Sequence, residues 1–171
     1  MRVSTVETWL GPFTAVVDDD GAVLASGWTA DAAGLAALIH PSLRGDPVPR
    51  KDLGAVTVAI LAYHEGDLQA PDVVPVRQHT GGDFLAAAWR ALRDVHPGSP
   101  ITYMDLAYRT GNPAASRAAA SACARNAAAL FVPCHRIVRA DGSVGGFRWG
   151  PATKRRLLDH EAPAMSGRAP S

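Results

Sequence analysis

A cysteine followed directly by a histidine is the pattern with the clearest chemical potential in this 171-residue sequence. Cys134 and His135 follow Pro133 within a short apolar run rich in β-branched residues. A free thiol is mostly protonated at neutral pH and reacts as the thiolate, so an adjacent base would activate Cys134. Taken alone, a cysteine in an apolar run is more often a small buried hydrophobe. The pair is therefore a candidate nucleophile that the remaining sequence has to support.

Charge is divided unevenly along the chain. Residues 1–80 hold five Lys and Arg against ten Asp and Glu, whereas residues 81–171 hold twelve against six, and the net charge is +1. A basic C-terminal half is typical of a segment that binds a polyanion, although chance asymmetry on a solvated surface gives the same count. The length and the 47% hydrophobic content fit one or two small domains with real cores.

Cys123 and Cys134 are the two cysteines, too few for a disulfide framework or a four-cysteine zinc site. We therefore expect no metal and no cofactor, and a reducing cytoplasm as the setting. The N-terminus has no apolar run of signal-peptide length, and no stretch approaches the roughly 20 apolar residues of a membrane span. A membrane is accordingly not expected as a partner.

Residues 1–79 predict a small α/β domain in which we identify no catalytic constellation. The patterns indicate a hairpin of strands at 13–17 and 22–28, helices at 31–39 and 53–64, and an extended segment at 70–77. The second of these helices is rich in β-branched residues, which leaves a strand open. The acidic triplet at 18–20 could bind a metal, but a solvated hairpin turn explains it more simply.

Residues 80–161 predict a second, mainly helical domain, followed by a flexible tail at 162–171. Asp83 is the candidate N-cap of the first helix, which runs through residue 92. Thr102 and Asp105 form a capping-box pattern for a short helix that Gly111 ends.

A turn of Asn112 and Pro113 is predicted to open the next helix, over 114–125. Two short helices joined in this way are typical of a helix-turn-helix. The second helix consists almost entirely of small residues, so its backbone can lie close either to a protein core or to a groove of DNA. Arg117 and Arg125 are its only charges, and an arginine on such a bare helix is a candidate probe into a duplex.

Three glycines surround two aromatic residues in the segment 145–150, which suits a loop whose backbone approaches a flat ligand. Pro151 is then predicted to open a last helix that reaches Glu161.

These motifs occur in one order at close spacing: Tyr103, Gly111-Asn112-Pro113, Arg117, Asn126, Pro133-Cys134-His135-Arg136, Gly146-Phe147-Arg148-Trp149-Gly150 and Leu157-Leu158 with Glu161. Together they resemble the O6-alkylguanine-DNA alkyltransferases, also called methylated-DNA–protein-cysteine methyltransferases. The resemblance covers roughly residues 82–161. It implies an α+β fold in which a ribonuclease H-like α/β domain precedes a mainly helical domain with a winged-helix-like helix-turn-helix.

The resemblance also implies a reaction and its catalytic residues. Cys134 would take the alkyl group of O6-alkylguanine in a single, irreversible turnover, and O4-alkylthymine is left open as a second substrate. His135 would receive the thiol proton through a water, and Glu161 would stabilise the imidazolium. Tyr103 would donate to guanine N3, and Asn126 would brace the turns of the active site.

The implied partner is double-stranded DNA that carries O6-alkylguanine. A monomer of the protein would bind the minor groove of this DNA and flip the target base out of the duplex. Arg117 would fill the gap in the duplex, and the other implied DNA-binding residues are Ala118, Ser121, Arg125 and Tyr103. The implied base pocket consists of Cys134, Ile137, Phe147, Arg148 and Trp149.

The sequence departs from the family pattern where residues 127–129 are alanines instead of a segment with a proline, and where Phe147 replaces a common tyrosine. Cys123 is interpreted as packing. Three other functions stay open at this point: a lesion-binding protein without transfer, a thiol hydrolase that uses Cys134, His135 and Glu161, and a DNA-binding regulator without catalysis.

Overall fold

The structure is a computed structural model that describes residues 1–79 and 81–163. It has a mixed α/β fold, with a four-stranded sheet near the N-terminus and most of the helices after it. The sheet consists of β1 (Arg2–Thr8), β2 (Gly11–Val17), β3 (Val23–Gly27) and β4 (Val48–Pro49) in the order β3-β2-β1-β4. Strand β1 pairs antiparallel with β2 and parallel with β4.

The predicted hairpin is confirmed as β2 and β3, which pair antiparallel. Asp18 closes its turn by accepting hydrogen bonds from the backbone N–H groups of Asp20 and Ala22, each at 2.9 Å. Strand β1 was not predicted, because Val3 and Val6 are its only apolar residues and the alternation is too weak. Pairing on both of its edges stabilises it instead.

The two helices predicted in this part of the chain are present, although the first is shorter than predicted. They are α1 (Ala32–Ala36), which Asp31 caps, and α2 (Ala55–His64). The β-branched content of α2 does not make it a strand, because Val56, Ile60 and Tyr63 form one buried face at helical spacing.

The extended prediction for 70–77 is wrong at Ala70–Val73, which form a 3-10 helix with a proline in its first turn. Pro71 supplies the fixed φ that such a turn needs. The prediction is right at Val76, which forms a parallel bridge with Val23.

The later helices are α3 (Asp83–Arg93), α4 (Tyr103–Arg109), α5 (Ser116–Ala124) and α6 (Pro151–Glu161). The predicted capping box of α4 is present, since Thr102 and Asp105 bond to each other's backbone N–H at 3.0 Å. Asp83 as N-cap of α3 is wrong, because Gly82 holds that position and Asp83 lies in the first turn.

The predicted start of α5 at Asn112 and Pro113 is also wrong, because Asn112 completes the end of α4. Its N–H bonds to the carbonyl of Ala107 at 3.2 Å, around Gly111 with a φ of +86°. The next turn closes from Ala115 back to Asn112, and α5 begins at Ser116.

One hydrophobic cluster contains buried side chains from both sides of residue 80. It includes Phe13, Ile60, Trp89, Leu106 and Leu157. The division near residue 80 therefore stays a prediction, and Thr80 and most of the tail lie outside the described residues. Within the ranges 1–79 and 81–163, no helix is long and apolar enough to cross a membrane.

Candidate functional site

The segment that leads to Cys134 lies against the edge of the N-terminal sheet. Ser26 on β3 accepts from the N–H of Ala129 at 3.2 Å and donates to the carbonyl of Ala127 at 2.9 Å. Its hydroxyl also donates to the carbonyl of Ala129 at 2.7 Å. Cys134 then opens a 3-10 turn, Cys134–Arg136, so the sheet fixes the position of the thiol.

The half-buried Cys134 faces a cavity of about 370 Å³. That volume lies in the range of small-ligand pockets, ~300–1,000 Å³. The structure brings most of the predicted pocket and catalytic side chains to this cavity, whose lining is Tyr103, Ala120, Cys123, Ala124, Asn126, Ala129, Cys134, Gly146, Phe147, Arg148 and Trp149. Ile137 is not part of this lining, because it is fully buried in β6 (Ile137–Val138), which pairs with β5 (Ile101–Thr102).

Asn126 links the thiol to the chain around it. Its amide nitrogen donates to the carbonyl of Val132 at 2.7 Å and to Cys134 Sγ at 3.3 Å. Its amide oxygen accepts from Ala128 N at 3.0 Å and from Gln78 Nε2 at 3.1 Å. These two donors fix the orientation of the amide, so that its N–H groups point toward the sulfur. Gln78 was not predicted, since its role depends on a contact across 48 residues.

His135, Arg136 and Glu161 form a buried ion-pair network next to the thiol. Glu161 Oε2 lies 2.8 Å from His135 Nε2, and both carboxylate oxygens accept from Arg136 at 2.9 Å. The ionised carboxylate can only accept, so a neutral His135 carries its proton on Nε2 and its lone pair on Nδ1. That Nδ1 atom is buried and has no hydrogen-bond partner within residues 1–79 and 81–163. The arrangement leaves Nδ1 as the basic atom.

Burial and charge set the protonation states of this network. Burial lowers the pKa of His135, although Glu161 acts in the opposite direction, and the imidazole is held neutral at pH 7. Burial alone would raise the pKa of Glu161, but His135 and Arg136 outweigh it and hold that pKa below its usual range. The pair therefore consists of a neutral base and an ionised carboxylate.

Lys154 is a fully buried cation beside the thiol that was not predicted. Its Nζ donates to the carbonyl of Gly146 at 3.2 Å and lies 5.9 Å from the centre of the Tyr103 ring. Burial raises the pKa of Cys134, whereas the hydrogen bond from Asn126 and the charge of Lys154 lower it. The spacing of Lys154, Leu157 and Glu161 on α6 could have revealed it, because positions i, i+3 and i+7 share one helix face.

Tyr103 is the first residue of α4, where the capping box sets the direction of the helix. Its side chain reaches the same cavity as Cys134. Burial, with the neighbouring thiols next in effect, raises the pKa of Tyr103. The phenol therefore stays protonated, and able to donate, over a wide range of pH.

Helix α5 and its C-cap residue Arg125 present small residues and two arginines on one exposed face. Arg117, Ala118, Ser121 and Arg125 are exposed there, while Ala119 and Ala122 pack inward. Ala119 and Ala122 therefore pack against the protein core, the first alternative considered from the sequence, and the exposed small residues remain on the surface beside the cavity. Their contact with DNA stays a prediction.

The loop 146–150 packs on strand β3, which fixes one wall of the cavity. Phe147 lies 6.1 Å from Trp28 between ring centres, and the indole of Trp149 lies directly over Gly27. A Cβ atom at position 27 would overlap that indole. Only glycine allows this close approach.

We expect Gly27→Ala to displace Trp149 and deform the cavity wall. Overpacking of this kind costs ~1–3 kcal/mol, so urea unfolding should show a lower free energy of unfolding. Gly45→Ala is the matched control, because a Cβ there would meet Met1 at an ordinary 3.6 Å. Equal stability of the two variants would contradict the close packing of Trp149.

No group of three or more His, Cys, Asp or Glu in the described part of the chain could hold a metal ion.

Comparisons with known proteins agree with the motifs. Residues 83–163 match the family model described as 6-O-methylguanine DNA methyltransferase, DNA binding domain. The bifunctional transcriptional activator/DNA repair enzyme Ada of Escherichia coli is 48% identical over 82 residues, which cover 48% of this chain and 23% of that protein. The chain thus spans about a quarter of the length of that curated relative. The methylated-DNA–protein-cysteine methyltransferase of Shigella flexneri is 29% identical over 160 residues, covering 91% of this chain and 92% of that protein.

Among solved structures, OGT of Mycobacterium tuberculosis in complex with DNA superposes with a TM-score of 0.76 at 26% identity, over 96% of each chain. Residues 83–163 are thus similar to the DNA-binding domain of the 6-O-methylguanine DNA methyltransferases, and the whole fold is similar to that of OGT. The resemblance inferred from the motifs is thereby confirmed.

Proposed function

We propose that this protein is a methylated-DNA–protein-cysteine methyltransferase that moves the alkyl group of O6-alkylguanine in double-stranded DNA to Cys134. The observation that carries the proposal is the half-buried thiol at a cavity of about 370 Å³, beside the small exposed face of α5. The nucleophile Cys134 and the donor Tyr103 line one space that opens next to a candidate DNA-binding surface. The base His135 follows Cys134 in the 3-10 turn and is fully buried. Burial raises the pKa of Cys134, and Asn126 and Lys154 act against that rise.

In the proposed reaction His135 Nδ1 receives the proton of Cys134 through a water, and the sulfur attacks the alkyl carbon. The new carbon–sulfur bond forms as the bond from that carbon to O6 breaks, and its electron pair passes to the guanine. Tyr103 donates a proton to guanine N3, so the base leaves neutral, and solvent reprotonates the phenolate. A thioether has no easy leaving reaction, so each molecule reacts once.

A guanine within a duplex cannot reach this cavity, so the proposal includes flipping the base out of the stack. Helix α5 would lie in the minor groove, where its exposed alanines and Ser121 allow close approach. Arg117 would enter the space left by the flipped nucleotide. The space that the cavity offers would set which alkyl groups are accepted and whether O4-alkylthymine is also a substrate.

Several finer points belong to the same proposal. Residues 1–79 and 80–161 would be two domains, and the strand order β3-β2-β1-β4 favours the ribonuclease H-like description of the first. The helix pair α4 and α5 favours the winged-helix-like description of the second. The protein would act as a monomer in a reducing cytoplasm, where Cys134 stays a free thiol.

Intact mass after incubation with a duplex containing O6-methylguanine tests the function. We expect a gain of one methyl group per molecule, located on the peptide that contains Cys134. Repeated release of product without a mass change would favour a thiol hydrolase. Tight duplex binding without a mass change would favour a lesion binder or a regulator.

The role of Arg117 can be separated from that of a phosphate contact. A flipped nucleotide leaves an unstacked gap that costs a few kcal/mol in a duplex, and a single strand has no comparable stack to restore. We expect Arg117→Ala to slow repair of duplex O6-methylguanine strongly, to slow repair in single strands less, and barely to alter reaction with free O6-benzylguanine. The measurement is the single-turnover rate on each substrate.

Arg125→Ala is the matched control, since this arginine lies at the other end of the same helix. A phosphate contact weakens the reactions of duplex and single strand by similar factors, because both carry backbone charge. Similar losses for Arg117→Ala on the two DNA substrates would therefore refute its insertion into the duplex.

A further inference from the structure

One hydrogen bond to the buried carboxylate of Glu161 comes from the N-terminal part of the chain. Tyr63, on α2, places its phenol oxygen 2.6 Å from Glu161 Oε2, across 98 residues of sequence. Glu161 Oε2 also lies 2.8 Å from His135 Nε2 and accepts a hydrogen bond from Arg136 at 2.9 Å. The N-terminal part therefore contacts the group that orients the base, even though its sequence has no catalytic pattern.

The phenol of Tyr63 is held in one direction. The side chain is fully buried, and its ring packs between His64 and His160 at centroid distances of 5.2 and 5.3 Å. Burial and the charge of Glu161 raise the pKa of Tyr63, so the phenol remains protonated and donates to the carboxylate. Oε2 thus accepts from a neutral donor in addition to the imidazole.

This third donor changes how strongly Glu161 attracts the His135 proton. A hydrogen bond to a carboxylate favours its charged form and lowers its basicity. A less basic carboxylate stabilises the imidazolium less, so the pKa of His135 stays lower. Without the phenol, Oε2 would attract the Nε2 proton more strongly, and His135 would be protonated at a higher pH. The charges of Arg136 and Lys154, which also face His135, would be unchanged.

We propose that Tyr63 is a positioning residue of the transfer site, through which the N-terminal part of the chain orients Glu161 and keeps His135 as a neutral base. The inference rests on the proposed function, because it assumes that His135 serves Cys134. It assigns to residues 1–79 a part in the reaction, exerted through Glu161, besides their contribution to the core.

The test compares Tyr63→Phe with the unchanged protein in two measurements. The first is the protonation of His135, followed by NMR of the imidazole nitrogens without any substrate. We expect the pH at which His135 is half protonated to rise by about half to one pH unit. The second is the single-turnover rate of methyl transfer against pH. Its acidic limb should move to higher pH by the same amount, a loss of about three- to ten-fold on that limb. The rate at alkaline pH should stay nearly constant.

Thr14→Val is the matched control, because it removes a buried hydroxyl of the N-terminal sheet that donates to the carbonyl of Thr29 at 2.6 Å. It should lower stability without moving either midpoint. If Tyr63→Phe lowers the rate equally at all pH values and leaves the His135 midpoint in place, Tyr63 is only a packing residue and the proposal is overturned.

A fluorinated tyrosine at position 63 provides a second test should Tyr63→Phe fail to fold. It keeps the shape and donates more strongly, so the His135 midpoint should fall, and an unchanged or raised midpoint would overturn the proposal. Failure of the unchanged protein to accept a methyl group would contradict the proposed function alone, since the NMR titration does not depend on transfer.

Discussion

Replacing Cys134 by serine should abolish methyl transfer while duplex binding is retained. A hydroxyl is nearly the same size as the thiol but far less nucleophilic, and His135 is too weak a base to ionise it. The surrounding hydrogen bonds can survive, because Asn126 donates to the sulfur and can donate equally to an oxygen. The measurements are intact mass after incubation with O6-methylguanine duplex and the affinity for the same duplex.

Cys123→Ser is the control that the cavity itself offers. Cys123 also lines the cavity, and burial and the neighbouring Cys134 raise its pKa. The amide of Asn126 donates to Cys134 and not to Cys123, and the candidate base His135 directly follows Cys134. We expect transfer by this variant at nearly the original rate. Methyl uptake by Cys134→Ser at the original rate would show that Cys134 is not the nucleophile. Complete loss of transfer in Cys123→Ser would point to Cys123 instead.

Tyr103→Phe should slow the chemical step by about 10²–10⁴, the usual contribution of a general acid. The phenol lies at the cavity that also contains Cys134, and its raised pKa keeps it protonated at neutral and mildly alkaline pH. Phenylalanine preserves the ring and its packing, so affinity for the lesion should change little. The single-turnover rate at saturating duplex separates the chemical step from binding.

Tyr108→Phe is the matched control on the same helix. Tyr108 is 71% exposed and does not line the cavity, so loss of its hydroxyl should leave the rate unchanged. If Tyr103→Phe reacts at the original rate, the leaving guanine takes its proton elsewhere and Tyr103 only shapes the cavity.

The parts of this protein that are encoded locally were predicted well from the sequence. The capping box of Thr102 and Asp105, the stop at Gly111 and the proline that opens α6 all depend on contacts within a few residues. The same holds for the adjacent Cys134 and His135. Where two local signals overlap, prediction failed: Asn112 looks like the start of α5, yet its N–H completes the end of α4.

Other parts of the site depend on contacts that no local pattern contains. Glu161 lies 26 residues from His135 and 98 from Tyr63, and Gln78 reaches Asn126 across 48. The motif placed Glu161 in the site, but nothing near Tyr63 or Gln78 in the sequence marks either of them. Their roles arise because the sheet edge at β3 and the buried face of α2 pack against the segment that leads to Cys134 and against α6. The residue types needed for the reaction are therefore determined by the sequence alone, whereas tertiary packing decides which buried donors surround the carboxylate and the amide that control the thiol.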